Sequence, residues 1–400
     1  MRAQRRTLLL ASGAICANAL LPVRLASASG RSATIAVSVE ISHLTSLSDE
    51  AIIAGLSIAL EELNGTSGKG GFSWELLKYD NGSIPGRAVA QLHELARREN
   101  LVGVFGGKFS PVVLAMSPVA TALKIPLFAP WSAADDITAF PEKTPYTFRL
   151  SIRDSWAMSR LVERAMARGY RTLGLLVPNS SWGRSCVAAV DKKIASIPLP
   201  KKPRLAREFY NWGGEPTLLP QYQNLLNSGA QALLLVANEP EAALLASELA
   251  AQPASYQRLP ILSHWGLTGG DTIALSKGTI LKLDIEFVQS FNFRRSRSPA
   301  AARLAERASQ LLGIGNINAF PAQVGIAHAY DLMMMIGSAV SRLDRISGPA
   351  VLKAMTEIRQ HQGVIRRYTR PYADNRRDAM SESDIFLCRY SDSGEISPIP

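Results

Sequence analysis

The sequence predicts an α/β protein made of two doubly wound parallel-sheet lobes. Three observations carry that reading. Short apolar runs alternate with stretches of helical spacing along nearly the whole chain. The runs are apolar throughout rather than every second residue, as strands covered on both faces are. They also fall into two successive series, within a chain of 400 residues. At roughly 100–200 residues per domain, that length allows two or three domains.

The first series begins with the β-branched run Thr34 to Val39. Asp49 to Asn64 follows with helical spacing through Ile52, Leu56, Ala59, Leu60 and Leu63, and Asn64-Gly65 supplies a helix stop. Then come strand Ser73–Tyr79, helix Pro85–Arg98, strand Val102–Phe105, helix Pro111–Leu123 and strand Ile125–Ala129. Tyr146 to Arg153 reads as a crossover. The second series runs through helix Ser155–Arg168, strand Thr172–Val177, helix Trp182–Ala195 and strand Arg204–Tyr210. It continues with helix Leu218–Asn227, strand Ala232–Val236, helix Pro240–Ala250 and strand Leu259–Ser263. Helices Pro299–Leu312 and Pro321–Leu343 follow, and strand Asp384–Arg389 closes the chain. A return of this late material to the first lobe would make several chain crossings and hence a hinge.

Apolar residues make up 47% of the chain and charged residues 19%, which excludes disordered and fibrous classes. Three cysteines, Cys16, Cys186 and Cys388, are too few for a disulfide scaffold or a cysteine-rich zinc module. Cys186 and Cys388 fall in the second lobe, as buried thiols or as a pair. Residues 1–30 read as an export signal: Arg2, Arg5 and Arg6, an apolar run from Leu8 to Leu21, and Ala26-Ser27-Ala28 as a cleavage site. Arg5-Arg6 fits a twin-arginine route or a general secretory one. Cleavage after residue 28 removes four arginines and no acid, taking the charge from +11 to +7. The mature protein is thus expected to be soluble and periplasmic. Phe291 to Arg297 and Arg366 to Arg377 are the densest basic stretches; they read as solvated loops, or as docking sites for an acidic partner, rather than a nucleic-acid face.

Ligands of open parallel sheets bind beyond the carboxyl ends of the strands, so the residues just after each strand matter most. Gly106-Gly107-Lys108-Phe109-Ser110-Pro111 follows Phe105, with Ser110 placed to cap the next helix and Pro111 at its first position. Free amides there suit a carboxylate. Pro130-Trp131-Ser132 follows Ala129, Asn179-Ser180-Ser181-Trp182 lies past Val177, Asn238-Glu239 past Val236, and His264-Trp265-Gly266 past Ser263. Trp156 opens the helix after the crossover. Trp131, Trp156, Trp182 and Trp265 therefore lie at loops facing one crevice. Each singly also fits a core position. Together they point to aromatic walls for a flat ligand or a cation.

The ordered set Val104-Phe105-Gly106-Gly107, Ser110 and Ile125 to Ser132, with Asn64, Gly68 to Gly71 and Tyr79-Asp80 before it, resembles the type I periplasmic binding proteins. Within them it is most similar to the branched-chain amino-acid binders that serve ATP-binding-cassette importers. The resemblance spans the mature chain. It implies three crossovers near residues 150, 290 and 362, with 29–150 and 290–362 in lobe 1 and 151–289 and 363–400 in lobe 2. It implies that Ser110 holds a ligand carboxylate and that Trp182 and Asn238 take the lobe 2 contact positions. The family's threonine is missing from Trp131-Ser132-Ala133, and its ammonium-binding glutamate falls at about Trp265. A simple amino acid is therefore not the implied ligand.

Nothing in the chain suggests an enzyme. His43, His93, His264, His328 and His361 show no metal-hydrolase spacing, and Gly68-Lys69-Gly70-Gly71 is no phosphate loop. No G-x-S-x-G elbow occurs. His264 at a strand mouth is either a ligand contact or structural. The sequence reading is a monomeric binding protein without cofactor or metal. It delivers an amino-acid-like, amide, aromatic or quaternary ammonium ligand to an importer permease, with Ser110, Trp131, Ser132, Trp156, Trp182, Asn238, His264 and Trp265 as contacts. The alternative is a sensor reporting to a membrane receptor, or a binder that has lost its ligand.

Overall fold

The computed structural model describes residues 31–41, 46–65, 71–139 and 145–399; the export signal read in 1–30 and Gly68 to Gly70 lie outside them. The first lobe opens with β1 (Arg31–Val39), α1 (Leu47–Gly65), β2 (Phe72–Asp80), α2 (Pro85–Leu95) and β3 (Leu101–Gly106). Then come α3 (Ser110–Ala122), β4 (Leu127–Ala129) and β5 (Thr147–Arg149). These strands form a parallel sheet of order β2-β1-β3-β4-β5. Asn64 fixes the turn from α1 to β2, its side chain accepting from Trp74 N and donating to Trp74 O.

The second lobe contains α4 (Asp154–Ala167), β6 (Thr172–Pro178), α5 (Ser181–Ala195), β7 (Arg204–Tyr210), α6 (Leu219–Asn227) and β8 (Ala232–Leu235). It continues through α7 (Glu239–Ala251), β9 (Ile261–Ser263), α8 (Thr272–Leu275) and β10 (Ile285–Gln289). Ser180 caps α5 by accepting from Gly183 N. The chain then returns to the first lobe as α9 (Pro299–Leu312), α10 (Gln323–Val340) and α11 (Gly348–Thr356). A small hairpin of β11 (Gln360–Gln362) and β12 (Arg367–Thr369) follows, then β13 (Phe386–Tyr390) and β14 (Ile396–Pro398).

The second sheet has the order β14-β13-β10-β9-β8-β6-β7, with parallel pairs except at one edge, where β13 pairs antiparallel with both β10 and β14. The architecture is therefore two parallel-sheet α/β lobes, as the alternating pattern predicts. Central strands such as β3 and β8 are buried along their whole length, whereas edge strands β2 and β7 are partly exposed. One apolar cluster runs through both lobes, and two others fill the outer faces of the sheets. Cys186 belongs to the shared cluster and Cys388 to an outer one, and both are free.

Three segments link the lobes: the one after β5, the one after β10, and the one before β13. The third leaves the first lobe later than residue 362. Val364 N and Ile365 N donate to Asp331 in α10, and Tyr368 Oη reaches the same carboxylate at 2.9 Å. Further on, the fully buried Arg149 pairs with Asp378, and Arg377 Nε donates to Pro145 O. The chain thus stays with β5 and α10 as far as Asp378.

The two basic stretches are correspondingly less solvated than their composition suggests. Tyr368, Tyr372 and Arg377 are buried in one; Phe291, Asn292 and Phe293 are buried in the other. Their aromatic and polar members pack into the linking segments, while every arginine of the two stretches except Arg377 is exposed, as a solvated loop requires.

Candidate ligand-binding site

The carboxyl ends of the two sheets face each other, and the loops after their strands meet. Trp131 follows β4 and Trp265 follows β9; their rings touch across the interface at 5.3 Å between centroids. Ser110, Ala133, Trp182, Asn238 and Gly266 complete the walls, with Phe109 and Trp212 at the mouth, where their rings are 4.8 Å apart. The lobes are closed on this seam, leaving a cavity of about 20 Å³, room for about one water. At Gly266 a Cβ would run into Ala237 O and the Trp182 ring, so only glycine lets these loops approach.

Five of the eight expected contacts, Ser110, Trp131, Trp182, Asn238 and Trp265, line this seam. Three do not. Trp156 lies two residues, about 200° of helix rotation, beyond Asp154. That turns it away from the seam, with the Arg153 guanidinium over its ring at 5.9 Å. Ser132 is buried, and its hydroxyl donates to Gly107 O at 2.8 Å. His264 is fully buried behind Trp182, edge-on at 5.3 Å.

Ser110 also differs from its expected capping role. It is already the first residue of α3, with Phe109 in the cap position and Pro111 second. Its hydroxyl accepts instead from Ala133 N and Ala134 N, joining the loops after β3 and β4.

Behind Trp182 lies a buried polar brace. Trp182 Nε1 donates to Asp154 Oδ1 at 3.2 Å, and His264 Nε2 lies 3.2 Å from the same oxygen. Donor atoms of Asp154, Cys186 and His264 come within 4.8 Å of one another, the one set among the described residues that could converge on a metal. Burial pushes the Cys186 thiol well above its ordinary range, with Asp154 adding to the effect. A protonated thiol and an engaged carboxylate oxygen fit a support for the tryptophan.

Sequence reasoning missed Lys108, Phe109, Trp212 and Glu239. Lys108 from the first lobe pairs with Glu239 from the second, their side chains 3% and 2% exposed, and Lys108 Nζ sits 4.8 Å above the Phe109 ring. Trp212 lies just past the edge strand β7, in the same kind of position as the other tryptophans. Asp49, at the start of α1, holds the loops below: it accepts from Glu40 N and Lys108 N. Burial raises its carboxyl to about 6.

His328 of α10 connects Trp265 to the linking segments. Its Nδ1 donates to Pro130 O at 2.8 Å, so its Nε2 accepts from the Ser290 hydroxyl at 2.9 Å. Burial lowers its pKa to about 4, so the folded protein holds it neutral. A folded pKa below the unfolded value near 6.5 stabilises above 6.5, and that stability is lost as pH falls toward 4, on the order of 3 kcal/mol. His328→Gln lacks this loss. The gap in melting temperature between wild type and variant should therefore narrow from pH 7 to pH 4; a constant gap would contradict a neutral His328.

A closed crevice at the strand ends of two linked α/β lobes, walled by aromatic rings from both, defines a two-lobed binding protein. The chain belongs to the periplasmic binding protein family, whose model matches residues 32–395. The fold is the type I fold of that family, two parallel-sheet α/β lobes joined by linking segments.

Among solved structures, a type 1 periplasmic binding protein from Bordetella pertussis Tohama I aligns with a TM-score of 0.79 and 16% identity, over 92% of this chain and 100% of that one. A leucine binding protein from Thermotoga maritima aligns at 0.77 and 18%, over 92% and 98%. A solute binding protein from R. palustris, in complex with 4-hydroxybenzoate, aligns at 0.73 and 15%, over 92% and 95%. No curated protein matches the sequence.

Proposed function

We propose that this protein captures a small solute in the aromatic seam and delivers it to an importer permease of the ATP-binding-cassette type by lobe closure. The periplasm is its place of work. The observation that carries the reading is the Trp131–Trp265 contact, one ring from each lobe. A ligand favours the closed state only if it touches both lobes, and these rings put both within its reach. Aromatic, amide and cationic ligands suit such walls better than branched aliphatic amino acids. That the compared structures include both a leucine binding protein and a 4-hydroxybenzoate complex supports a fold that accepts different ligands.

A thermal-shift panel tests this. A ligand at about 100 times its Kd adds about 2.7 kcal/mol. At roughly 2–4 °C per kcal/mol the melting point rises by several degrees. The expected result is a rise with an aromatic or cationic compound and none with leucine. A rise with leucine alone would refute the aromatic-ligand reading.

A further inference from the structure

Beside the tryptophan seam, and sharing Lys108, Phe109, Trp212 and Asn238 with it, lies a chamber of about 550 Å³. That is within the usual range for small-molecule sites. Its lining is acidic: Glu40, Glu215, Glu239 and Glu241, with Lys108 the one basic side chain among the described residues. Glu239 and Glu241 are 2% and 6% exposed, yet Oε2 of each is buried without a hydrogen-bond partner. Native proteins pair such atoms, and an unpaired buried carboxylate is costly.

The corner nearest the seam shows what this lining accepts. There the Lys108 ammonium is held between the Glu239 carboxylate and the face of Phe109. One ammonium answers one carboxylate. Glu241, whose Oε1 accepts from Gly213 N, has no salt-bridge partner among the described residues.

We propose that the chamber binds a small organic cation carrying N–H donors, an alkylammonium or guanidinium compound, with Glu241 as its main charge partner and Phe109 and Trp212 as its aromatic wall. This rests on the reading of the interlobe seam as the ligand site and narrows it. Bare carboxylate oxygens need N–H groups, which a quaternary ammonium lacks. The chamber therefore selects among cations by hydrogen bonding as well as by charge. Burial, with Glu239 alongside, raises the Glu241 carboxyl, a strain that a cation in the chamber would relieve.

Titration calorimetry with agmatine, 1,4-diaminobutane, choline, 4-hydroxybenzoate and leucine tests the proposal on wild type, Glu241→Gln and Trp265→Ala. Glutamine keeps the acceptor for Gly213 N, and circular dichroism verifies the fold of each variant. Agmatine or diaminobutane should bind at least tenfold more tightly than choline, and Glu241→Gln should weaken that binding at least tenfold. Equal binding of choline, or N–H cation binding indifferent to Glu241→Gln, overturns the proposal. If 4-hydroxybenzoate or leucine binds instead, lost in Trp265→Ala but not in Glu241→Gln, the cation assignment fails and the seam reading stands. If no probe binds, both fail.

Discussion

Lys108→Met and Glu239→Gln should each cost about 3–5 kcal/mol of the closed, folded state, because each leaves one buried charge unpaired. The pair crosses the interface between lobes, so the orphaned charge has a cheaper escape than unfolding: the lobes open and water reaches it. The expected result is a larger radius of gyration by small-angle X-ray scattering, with a modest fall in melting temperature. Replacing both partners with apolar groups, Lys108→Met with Glu239→Leu, removes the unpaired charge and should restore most of the compaction. Single variants that keep the wild-type radius and melting point would mean that the pair does not hold the lobes together. The consequence for function is direct. A buried ion pair that favours closure raises the fraction of protein in the state the ligand prefers, so breaking it should weaken apparent affinity in proportion.

How much of this was legible in the sequence follows from the kind of pattern each element carries. The central strands and their helices show plainly, because an apolar run between helical stretches is a local signal. β10 escapes it: all five residues are buried, but Glu286 and Gln289 break the apolar run, and Glu286 is neutralised by Arg164 from α4. α11 starts at Gly348-Pro349, which reads as a breaker, yet Ser347 caps it and proline fits the first turn. The hairpin and the segment to Asp378 read as a basic loop because of their arginines, and the partner that holds Asp378, Arg149 of β5, lies more than two hundred residues away in the chain.

The site shows the same division. The tryptophans at strand mouths could be placed because a strand end is visible in sequence. Which face of a helix Trp156 takes depends on Asp154 being drawn toward Trp182, a tertiary fact. The Lys108–Glu239 pair joins loops of different lobes, and no spacing in the chain announces it.

Trp265→Ala should have the largest effect on binding, more than tenfold on the affinity for any ligand held in the seam. The ring is 1% exposed and touches Trp131 of the other lobe at 5.3 Å and His328 at 5.8 Å. Its loss also leaves a cavity where lobes and linking segments meet, and Trp→Ala in a core costs about 3–5 kcal/mol. Loss of binding alone would therefore be ambiguous. Two companions separate the causes. Trp265→Phe keeps an aromatic face and most of the volume, so it should recover much of the affinity if stacking is what counts. Trp156→Ala removes an indole from outside the seam and should leave affinity unchanged within about threefold. Trp182→Ala, whose ring lines the seam from the second lobe, should again lose more than tenfold. If Trp156→Ala weakens binding as much as Trp265→Ala, the tryptophans act through overall stability, and the aromatic wall is not the recognition element. If Trp265 and Trp182 matter and Trp156 does not, the ligand lies in the seam, against the second-lobe rings that line it.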